Sequence, residues 1–281
     1  MMNLLKGISQ VYLTSKRIPF DDSSRLVIMS DIHRGDGSWA DDFYRNQNLF
    51  FSALSYYYEH NYTYIENGDG DELWKFRKLS NIIHIHSDVF WLLSKFYKNH
   101  RLYFIYGNHD MEKKRNDFVA KNMYFYFRER DSKTIELFKD IKLHEGLVFV
   151  HSQKKYEVLI THGHQVDILN NFFWKLARFL VRYLWRPIES LGFNDPTSTA
   201  KNYIRKRRTE LSLTDWINSN NCILIAGHTH RPMLPQIGHP PYFNSGSSVH
   251  PRSITALEIA RGEIMLVKWA IKTRIDGTLY I

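Results

Sequence analysis

Short apolar runs of the kind that form buried strands alternate along the chain with longer segments of helical periodicity. Each apolar run ends in polar or ionisable residues. The runs are residues 25–30, 62–65, 102–106, 156–161 and 222–226. Apolar positions at helical spacing fill residues 41–60 and 87–100, and Asp41 or Asp42 is a suitable N-cap for the first of these helices. The alternation predicts a layered α/β protein rather than an all-α or all-β one.

The end of the chain has a different character. Residues 254–260 and 263–270 are rich in β-forming residues, and Arg261 and Gly262 between them are a hairpin signal. The sequence contains no internal repeat and no low-complexity linker. We therefore expect residues 1–281 to form a single domain.

The composition excludes several classes of protein. With 281 residues, 43% of them hydrophobic, the chain can bury a substantial core, which excludes disorder as the main state. A single cysteine, Cys222, cannot form an internal disulfide or a thiolate metal cluster, so any metal must bind His, Asp, Glu or Asn. No apolar run reaches the roughly 18 residues of a membrane span, and the first ten residues lack the apolar core of a secretory signal. We therefore predict a cytoplasmic protein in a reducing compartment.

Residues 166–218 interrupt the alternation, and we predict that they form a basic, aromatic-rich helical insert. Between residues 168 and 210, nine Lys and Arg residues oppose three acidic ones, so six of the chain's nine net positive charges lie here. A loop around Gly192 and Pro196 divides the segment into two helical stretches. A helix over residues 171–186 would place apolar residues on one face and cations on the next. Such a helix suits peripheral contact with the inner face of a membrane, contact with nucleic acid, or packing on the protein surface.

The polar residues that follow the predicted strands are of the types that bind metal ions. In open α/β folds, ligands collect at the carboxyl ends of strands. Asp-x-His and His-x-His place both side chains on the same side of an extended backbone, which brings two ligands near one ion. The motifs are Asp31-Ile32-His33, Gly68-Asp69, Gly107-Asn108-His109-Asp110, His162-Gly163-His164 and Gly227-His228-Thr229-His230. Each alone is more often a polar loop or a buried structural histidine, but their joint occurrence points to a metal site.

Taken together, these motifs resemble those of the calcineurin-like metallophosphoesterase superfamily, whose pattern is D-x-H, G-D, G-N-H-[D/E], H and G-H-x-H. The resemblance spans Asp31 to His230 and implies the family fold, a four-layer αββα sandwich in which helices cover two mixed β-sheets. It also implies two divalent metal ions. One ion would be held by Asp31, His33 and His230 and the other by Asn108, His162 and His228, with Asp69 bridging them.

The resemblance also implies a reaction. Nitrogen and oxygen ligands without sulfur favour Mn²⁺, with Fe or Zn²⁺ as alternatives. Metal ions in such a centre lower the pKa of a water that attacks phosphorus, and they neutralise charge on the phosphoryl oxygens. We predict that His109 protonates the leaving oxygen and that Asp110 orients its imidazole. Arg34 and His164 are predicted to contact the substrate, with a hydrogen bond to a metal ligand as the alternative role of His164.

The sequence leaves more than one substrate class open. Residues 67–74 and the helical insert are most similar to the UDP-2,3-diacylglucosamine hydrolase branch of the superfamily, which cleaves a pyrophosphate. The implied substrate is a small nucleotide- or lipid-linked phosphate ester or pyrophosphate. The net charge of +9 and the interleaved aromatics leave open a nuclease-like phosphodiesterase acting on nucleic acid or cyclic nucleotides. A third hypothesis is a non-catalytic scaffold, although every expected ligand position is filled.

Overall fold

Fully apolar runs form the central strands of two β-sheets. In the computed structural model, which describes residues 2–167, 178–185 and 203–281, every residue of the strand Leu26–Met29 is buried. A strand covered on both faces has no solvent side, so its sequence is continuously apolar instead of alternating. The same holds for most of Glu157–Thr161, where only the first residue is partly exposed.

The larger sheet has six strands and carries the first three motifs. Its strands are β2 (Leu26–Met29), β3 (Thr63–Asn67), β4 (Leu102–Ile105), β7 (Leu143–His144), β12 (Ser253–Ala260) and β13 (Glu263–Ala270). The order is β13-β12-β2-β3-β4-β7, with β2, β3, β4 and β7 parallel and the hairpin β12–β13 antiparallel at one edge. Because β2, β3 and β4 are parallel, the loops that follow them leave the sheet at the same edge.

The smaller sheet has five strands and carries the last two motifs. Its strands are β1 (Lys16–Phe20), β8 (Gly146–His151), β9 (Glu157–Thr161), β10 (Ile223–Ala226) and β11 (Tyr242–Asn244), in that order. β9 and β10 are parallel, so their following loops also share an edge. Two further pairs complete the strands: β5 (Phe125–Arg128) with β6 (Lys133–Glu136), and β14 (Lys272–Thr273) with β15 (Leu279–Tyr280).

Helices cover the outer faces of both sheets. They are α1 (Met2–Thr14), α2 (Gln47–Glu59), α3 (Leu79–Ile85), α4 (Ser87–Lys98), α5 (Asn116–Met123) and α6 (Tyr203–Asn220). One apolar cluster packs the four helices α2, α3, α4 and α5 against the larger sheet. Another packs α1 and α6 against the smaller sheet. A third cluster, which includes Ile28, Ile65 and Ile160, fills the space between the two sheets. The predicted four-layer αββα architecture is therefore confirmed.

The predicted strands and the terminal hairpin are confirmed to within one or two residues of their ends. The helix expected over residues 41–60 begins later, at Gln47, because Asp41 instead accepts the backbone N–H groups of Phe43 and Tyr44 ahead of a 3₁₀ turn. Helix α1 was not predicted. It packs through Ile8 and other apolar residues beside α6.

About half of the predicted insert lies outside the described residues, including its central loop and half of the helix over residues 171–186. The part that is described contains a π-helical turn, Val181–Trp185. Helix α6 falls largely within residues 166–218, and it packs on the smaller sheet through Leu213, Trp216 and Ile217. The limits of the insert stay a prediction.

Candidate metal centre

The five motifs meet where the loops after β2, β3, β4, β9 and β10 converge. Backbone hydrogen bonds join neighbouring loops within each sheet: Asp31 N–H donates to Gly68 O in the larger sheet, and Gly227 N–H donates to His162 O in the smaller one. The side chain of Asp31 extends the connection, since its Oδ2 accepts a 2.9 Å hydrogen bond from His228 N–H. Residues far apart in sequence are thus held at one place by main-chain contacts.

The backbone at this place is strained. Five of the motif residues have the left-handed conformation, with φ between 52° and 67°: Asp31, His33, Asp69, His228 and His230. Such a conformation costs a non-glycine residue of the order of 1–3 kcal/mol, and it persists only where the surroundings enforce it. Gly107 shows how closely the loops approach, since a Cβ atom there would lie 2.1 Å from Asp69 Oδ1. Left-handed backbone at the ligand-type residues and close approach of the loops thus occur at the same place.

The first set of potential ligands consists of Asp31, His33 and His230, whose donor atoms all lie within 4.8 Å of one another. Asp31 Oδ1 is 3.1 Å from His230 Nε2 and 3.9 Å from His33 Nε2. The two imidazole nitrogens face each other at 3.2 Å. All three side chains are nearly or fully removed from solvent, so the set forms a small buried cage of one oxygen and two nitrogens.

The second set consists of Asp69, His162 and His228, again within 4.8 Å. Asp69 Oδ2 lies 3.1 Å from His162 Nε2 and 3.8 Å from His33 Nε2, so this carboxylate borders both sets. Asn108 is buried in the same loop as His109, whose backbone N–H donates to Asp69 Oδ1. The structure therefore brings together the residues that the sequence placed in two ligand groups.

The electrostatics of the cluster favour a cation. Burial raises the pKa of the Asp69 carboxyl, but His162 and His109 lower it more, so that its pKa is well below the usual range. Burial lowers the pKa of His33 and His162, yet Glu72 raises that of His33 and the two aspartates raise that of His162, to about 9 in each case. Ionised carboxylates buried here draw positive charge, as protons or as metal ions.

The donor atoms fit two divalent ions. Within the described residues, Asp31 Oδ1, Asn108 Oδ1 and His162 Nε2 are buried and make no hydrogen bond of normal geometry. Buried polar atoms are nearly always paired, so atoms that approach one another without bonding need another partner. A divalent cation is such a partner, and imidazole, carboxylate and amide donors suit Mn²⁺, Fe and Zn²⁺.

Other polar groups fix the orientation of the histidine rings. Glu72 Oε2 is 2.8 Å from His33 Nδ1, Asn67 O is 2.9 Å from His162 Nδ1, and Asp167 Oδ2 is 3.3 Å from His228 Nε2. A hydrogen bond that fixes the ring orientation of a metal-binding histidine is the usual arrangement around such ligands. No sequence signal marks Asp167, whereas Asn67 and Glu72 lie within the conspicuous stretch 67–74.

His109 lies at the rim of the cluster. Its side chain is 22% exposed, against 7% for His33, and its Nδ1 is 2.9 Å from Glu72 Oε1. Trp74 stacks on the imidazole with ring centroids 4.2 Å apart and planes 21° from parallel. Glu72 therefore contacts both a ligand-type histidine and the predicted acid.

The predicted role of Asp110 is wrong. Its Oδ1 accepts a 2.7 Å hydrogen bond from Gly107 N–H, and its Oδ2 accepts one of the same length from Lys113. Asp110 thus closes the turn that carries Asn108, and Glu72 takes the place next to His109. Two adjacent side chains in a tight turn point apart, which is why the neighbouring residue does not orient the imidazole.

The predicted substrate contact of Arg34 is also wrong. Its side chain is fully buried, with both terminal nitrogens donating to Glu66 at 2.6 and 2.8 Å and Nε donating to Asp71 at 2.7 Å. Lys113 pairs with Asp71 from the other side. A guanidinium is the side chain best suited to such a two-pronged buried pair. Arg34 thus connects the loop after β2 to strand β3 and the loop that follows it.

His164 is buried beside the second set, with its ring centroid 5.5 Å from that of His162. Burial, and then the neighbouring His162, hold the pKa of His164 well below its usual range. The imidazole is thus neutral next to the cluster, and its Nδ1 is a buried atom without a hydrogen bond to any described residue.

The described part of the predicted insert lies against the rim of the site. Arg178 pairs with Glu112, and Arg182 donates to the backbone carbonyls of Leu73 and Trp74. Four apolar residues of this segment, Phe179, Leu180, Tyr183 and Leu184, are 42–56% exposed. None of the helices in the described ranges is long and apolar enough to cross a membrane.

Comparison with known proteins gives one informative match. The model of the calcineurin-like phosphoesterase family matches residues 24–232. No curated protein matches the chain significantly.

Solved structures give distant similarities. The chain resembles vacuolar protein sorting 29 of Cryptosporidium parvum at 14% identity and a TM-score of 0.41, covering 92% of this chain and 96% of that one. It resembles a cold-active protein tyrosine phosphatase of a Shewanella species at 14% identity and 0.43, covering 95% and 82%. It resembles the 5′-nucleotidase of Candida albicans at 12% identity and 0.32, covering 86% and 48%. Similarities this distant carry no functional information.

The family match is of a different kind, because it extends over well over half of the 281 residues and includes every motif from Asp31 to His230. The structure gathers the same motifs around one cluster of donor atoms. The chain therefore belongs to the calcineurin-like phosphoesterase family of metal-dependent phosphoester hydrolases.

Proposed function

We propose that the cluster holds two divalent ions with Asp69 as their shared ligand. The observation that supports this most directly is the position of Asp69 Oδ2, which borders His162 at 3.1 Å and His33 at 3.8 Å. A shared anion reduces the repulsion between two neighbouring dications. The remaining ligands are Asp31, His33 and His230 for one ion and Asn108, His162 and His228 for the other. Mn²⁺ is the proposed metal, with Fe and Zn²⁺ as the alternatives that the same nitrogen and oxygen donors suit.

The chemistry divides between the ions and the protein. When bound, two such ions acidify a water and neutralise charge on the phosphoryl oxygens. The protein supplies the proton for the leaving oxygen. His109 is the candidate, since it is the more exposed imidazole at the rim and its Nδ1 is occupied by Glu72. Its Nε2 is then the atom that can donate, and Glu72 fixes the ring in that orientation.

We further propose a small phosphate ester or pyrophosphate as substrate, linked to a nucleotide or a lipid as in the UDP-2,3-diacylglucosamine hydrolase branch. The similarity of residues 67–74 supports this. The contact between Arg182 and the Leu73–Trp74 backbone also supports it, because it places part of the insert beside the site, where it can enclose one side of a substrate. Peripheral contact with a membrane and a cytoplasmic location remain parts of this proposal, as does the single domain with an insert.

The test is a hydrolysis screen of the purified protein with added Mn²⁺. The substrates are an aryl phosphate monoester, an aryl phosphate diester, a nucleotide sugar and a lipid-linked pyrophosphate. We expect metal-dependent cleavage of the last two at higher kcat/KM than of the aryl esters. Greater activity on single-stranded nucleic acid, falling steeply with salt, would instead establish the nuclease-like alternative.

A variant separates the centre from the rest of the protein. Asp69→Asn keeps the shape of the side chain but removes the shared charge, so we expect loss of at least one ion per chain and of nearly all activity. Asp215→Asn, at an exposed position on α6, is the matched control and should match the wild type. An Asp69→Asn protein that retained two ions and full activity would contradict the proposed bridge.

A further inference from the structure

Within the described part of the insert, Arg182 hydrogen-bonds to the backbone beside the active-site rim. The Arg182 guanidinium donates from Nε to Trp74 O at 2.9 Å and from a terminal nitrogen to Leu73 O at 2.6 Å. Two donors of one planar guanidinium therefore bind two consecutive carbonyls of the main chain. A charged donor makes a stronger hydrogen bond than a neutral one, so this pair of bonds holds the Leu73–Trp74 backbone in place.

The segment that Arg182 binds contacts His109. Trp74 is only 3% exposed, and its ring lies 4.2 Å from the His109 ring in a nearly parallel stack. Glu72, the residue before Leu73, is hydrogen-bonded to His109 Nδ1. The imidazole is thus held by a carboxylate at one edge and an indole on one face. The indole belongs to Trp74, whose carbonyl Arg182 binds, and the carboxylate belongs to Glu72, which directly precedes the bound Leu73.

No hydrogen bond to the described residues orients the buried Trp74 indole. The indole Nε1 of Trp74 is buried and makes no hydrogen bond to any described residue, so no polar contact of its own fixes the ring plane. Stacking alone resists sliding weakly, because aromatic rings are attracted over a range of offsets. The position of the ring therefore depends on where its backbone is held.

We propose that Arg182 is a positioning residue for the proton-donating histidine, acting from the insert through Trp74. This inference rests on the proposed function, because it assigns a purpose to Arg182 only if His109 protonates the leaving oxygen. The insert would then do more than enclose a substrate: its docking on the body would set the catalytic geometry. A displacement of about 1 Å in a reacting group can cost up to a hundredfold in rate.

The neighbouring arginine provides a matched control. Arg178 lies one helical turn earlier and pairs with the Glu112 side chain. Arg178→Ala removes a cation from the same segment while the Arg182 side chain that binds the Leu73 and Trp74 carbonyls is kept. Arg182→Lys keeps the charge but has a single nitrogen, which can reach one carbonyl at a time, so it should rescue only part of the effect.

The kinetic experiment uses the full chain with saturating Mn²⁺ and phosphate esters graded from p-nitrophenyl through phenyl to alkyl leaving groups. A general acid matters most for the poorest leaving group. We expect His109→Ala to lower kcat about a hundredfold for the alkyl ester, and Arg182→Ala to lower it about tenfold, each with less than about a twofold change for p-nitrophenyl. The double variant should match His109→Ala, and Arg178→Ala should match the wild type.

A second readout does not require turnover. A ring stacked face to face on an indole has its proton resonances shifted upfield, so the His109 ring protons should be displaced in the NMR spectrum of the wild type. The resonances are assigned by their loss in His109→Ala. We expect the upfield shift to shrink in Arg182→Ala and to persist in Arg178→Ala.

The outcomes separate the two levels of inference. If His109→Ala steepens the dependence on the leaving group but Arg182→Ala leaves both that dependence and the NMR shift unchanged, the role of Arg182 is refuted and the proposed function stands. If His109→Ala does not steepen the dependence, the acid role of His109 is refuted together with that of Arg182. Equal losses on every ester in Arg182→Ala would show a general structural role and would also overturn the proposal.

Discussion

Glu72 gives the sharpest prediction, because one buried carboxylate contacts two imidazoles with different roles. It is 3% exposed and lies 2.8 Å from His33 Nδ1 and 2.9 Å from His109 Nδ1. Burial raises the pKa of the Glu72 carboxyl, but His109 and His33 lower it by more than burial raises it, so its pKa is well below the usual range. The carboxylate is therefore ionised and accepts from both rings. The test variant is Glu72→Gln, which keeps the volume of the side chain.

The magnitude follows from the number of acceptors. A glutamine amide has one oxygen and one NH₂ group, so it can accept from one imidazole N–H while its NH₂ faces the other. Loss of an orienting partner of a metal-binding histidine typically costs 10–100-fold in metal affinity or activity. We expect Mn²⁺ affinity to fall by about that factor, which is about 1.4–2.8 kcal/mol. We also expect kcat at saturating Mn²⁺ to fall, because the His109 ring loses its orientation.

The assay is calorimetric titration of metal-free protein with Mn²⁺, followed by kinetics at saturating metal. Glu59→Gln, an exposed residue at the end of α2, is the control and should match the wild type. Unchanged Mn²⁺ affinity together with unchanged kcat in Glu72→Gln would refute the reasoning, because both consequences derive from the same two hydrogen bonds. A loss of kcat alone would show that Glu72 acts on His109 and not on the metal ligand.

Three further predictions concern charge. Arg34→Met should lower the free energy of unfolding in urea by about 3–5 kcal/mol, because it leaves the buried carboxylates of Glu66 and Asp71 without their main cation; a loss below about 1 kcal/mol would contradict the buried network. The pKa of His33 and of His162 is about 6.5 in the unfolded chain and is raised to about 9 in the folded protein. Protonation of these histidines therefore stabilises the metal-free fold fully below about pH 6.5, and we expect that stability to be lost as the pH rises through about 9. For the same reason Mn²⁺ binding should release protons at pH 7 and strengthen toward pH 9, which calorimetry in buffers of different ionisation enthalpy measures; pH-independent binding would refute it.

The burial of Arg34 shows how the surroundings of a motif can mislead. The residue follows His33 directly, and a cation next to a metal ligand in sequence is a natural candidate for binding phosphate. Yet the chain turns at His33, which has φ of 54°, and the next side chain enters the body of the protein instead of the cleft. Glu66 and Asp71 receive it there, and both are anions from a different strand and loop.

The sequence by itself determined the strand alternation, the terminal hairpin, the family and the set of residues that the structure gathers around Asp69. These were readable because each depends on local information: an apolar run predicts a buried strand, and a motif such as Gly-Asn-His-Asp carries its own spacing. Only the tertiary structure showed that Glu72 and not Asp110 contacts His109, that Arg34 is buried, and that Arg182 reaches the backbone beside Trp74. Those contacts depend on which side chains meet after distant segments pack, and a local sequence pattern does not specify its contact partners elsewhere in the fold.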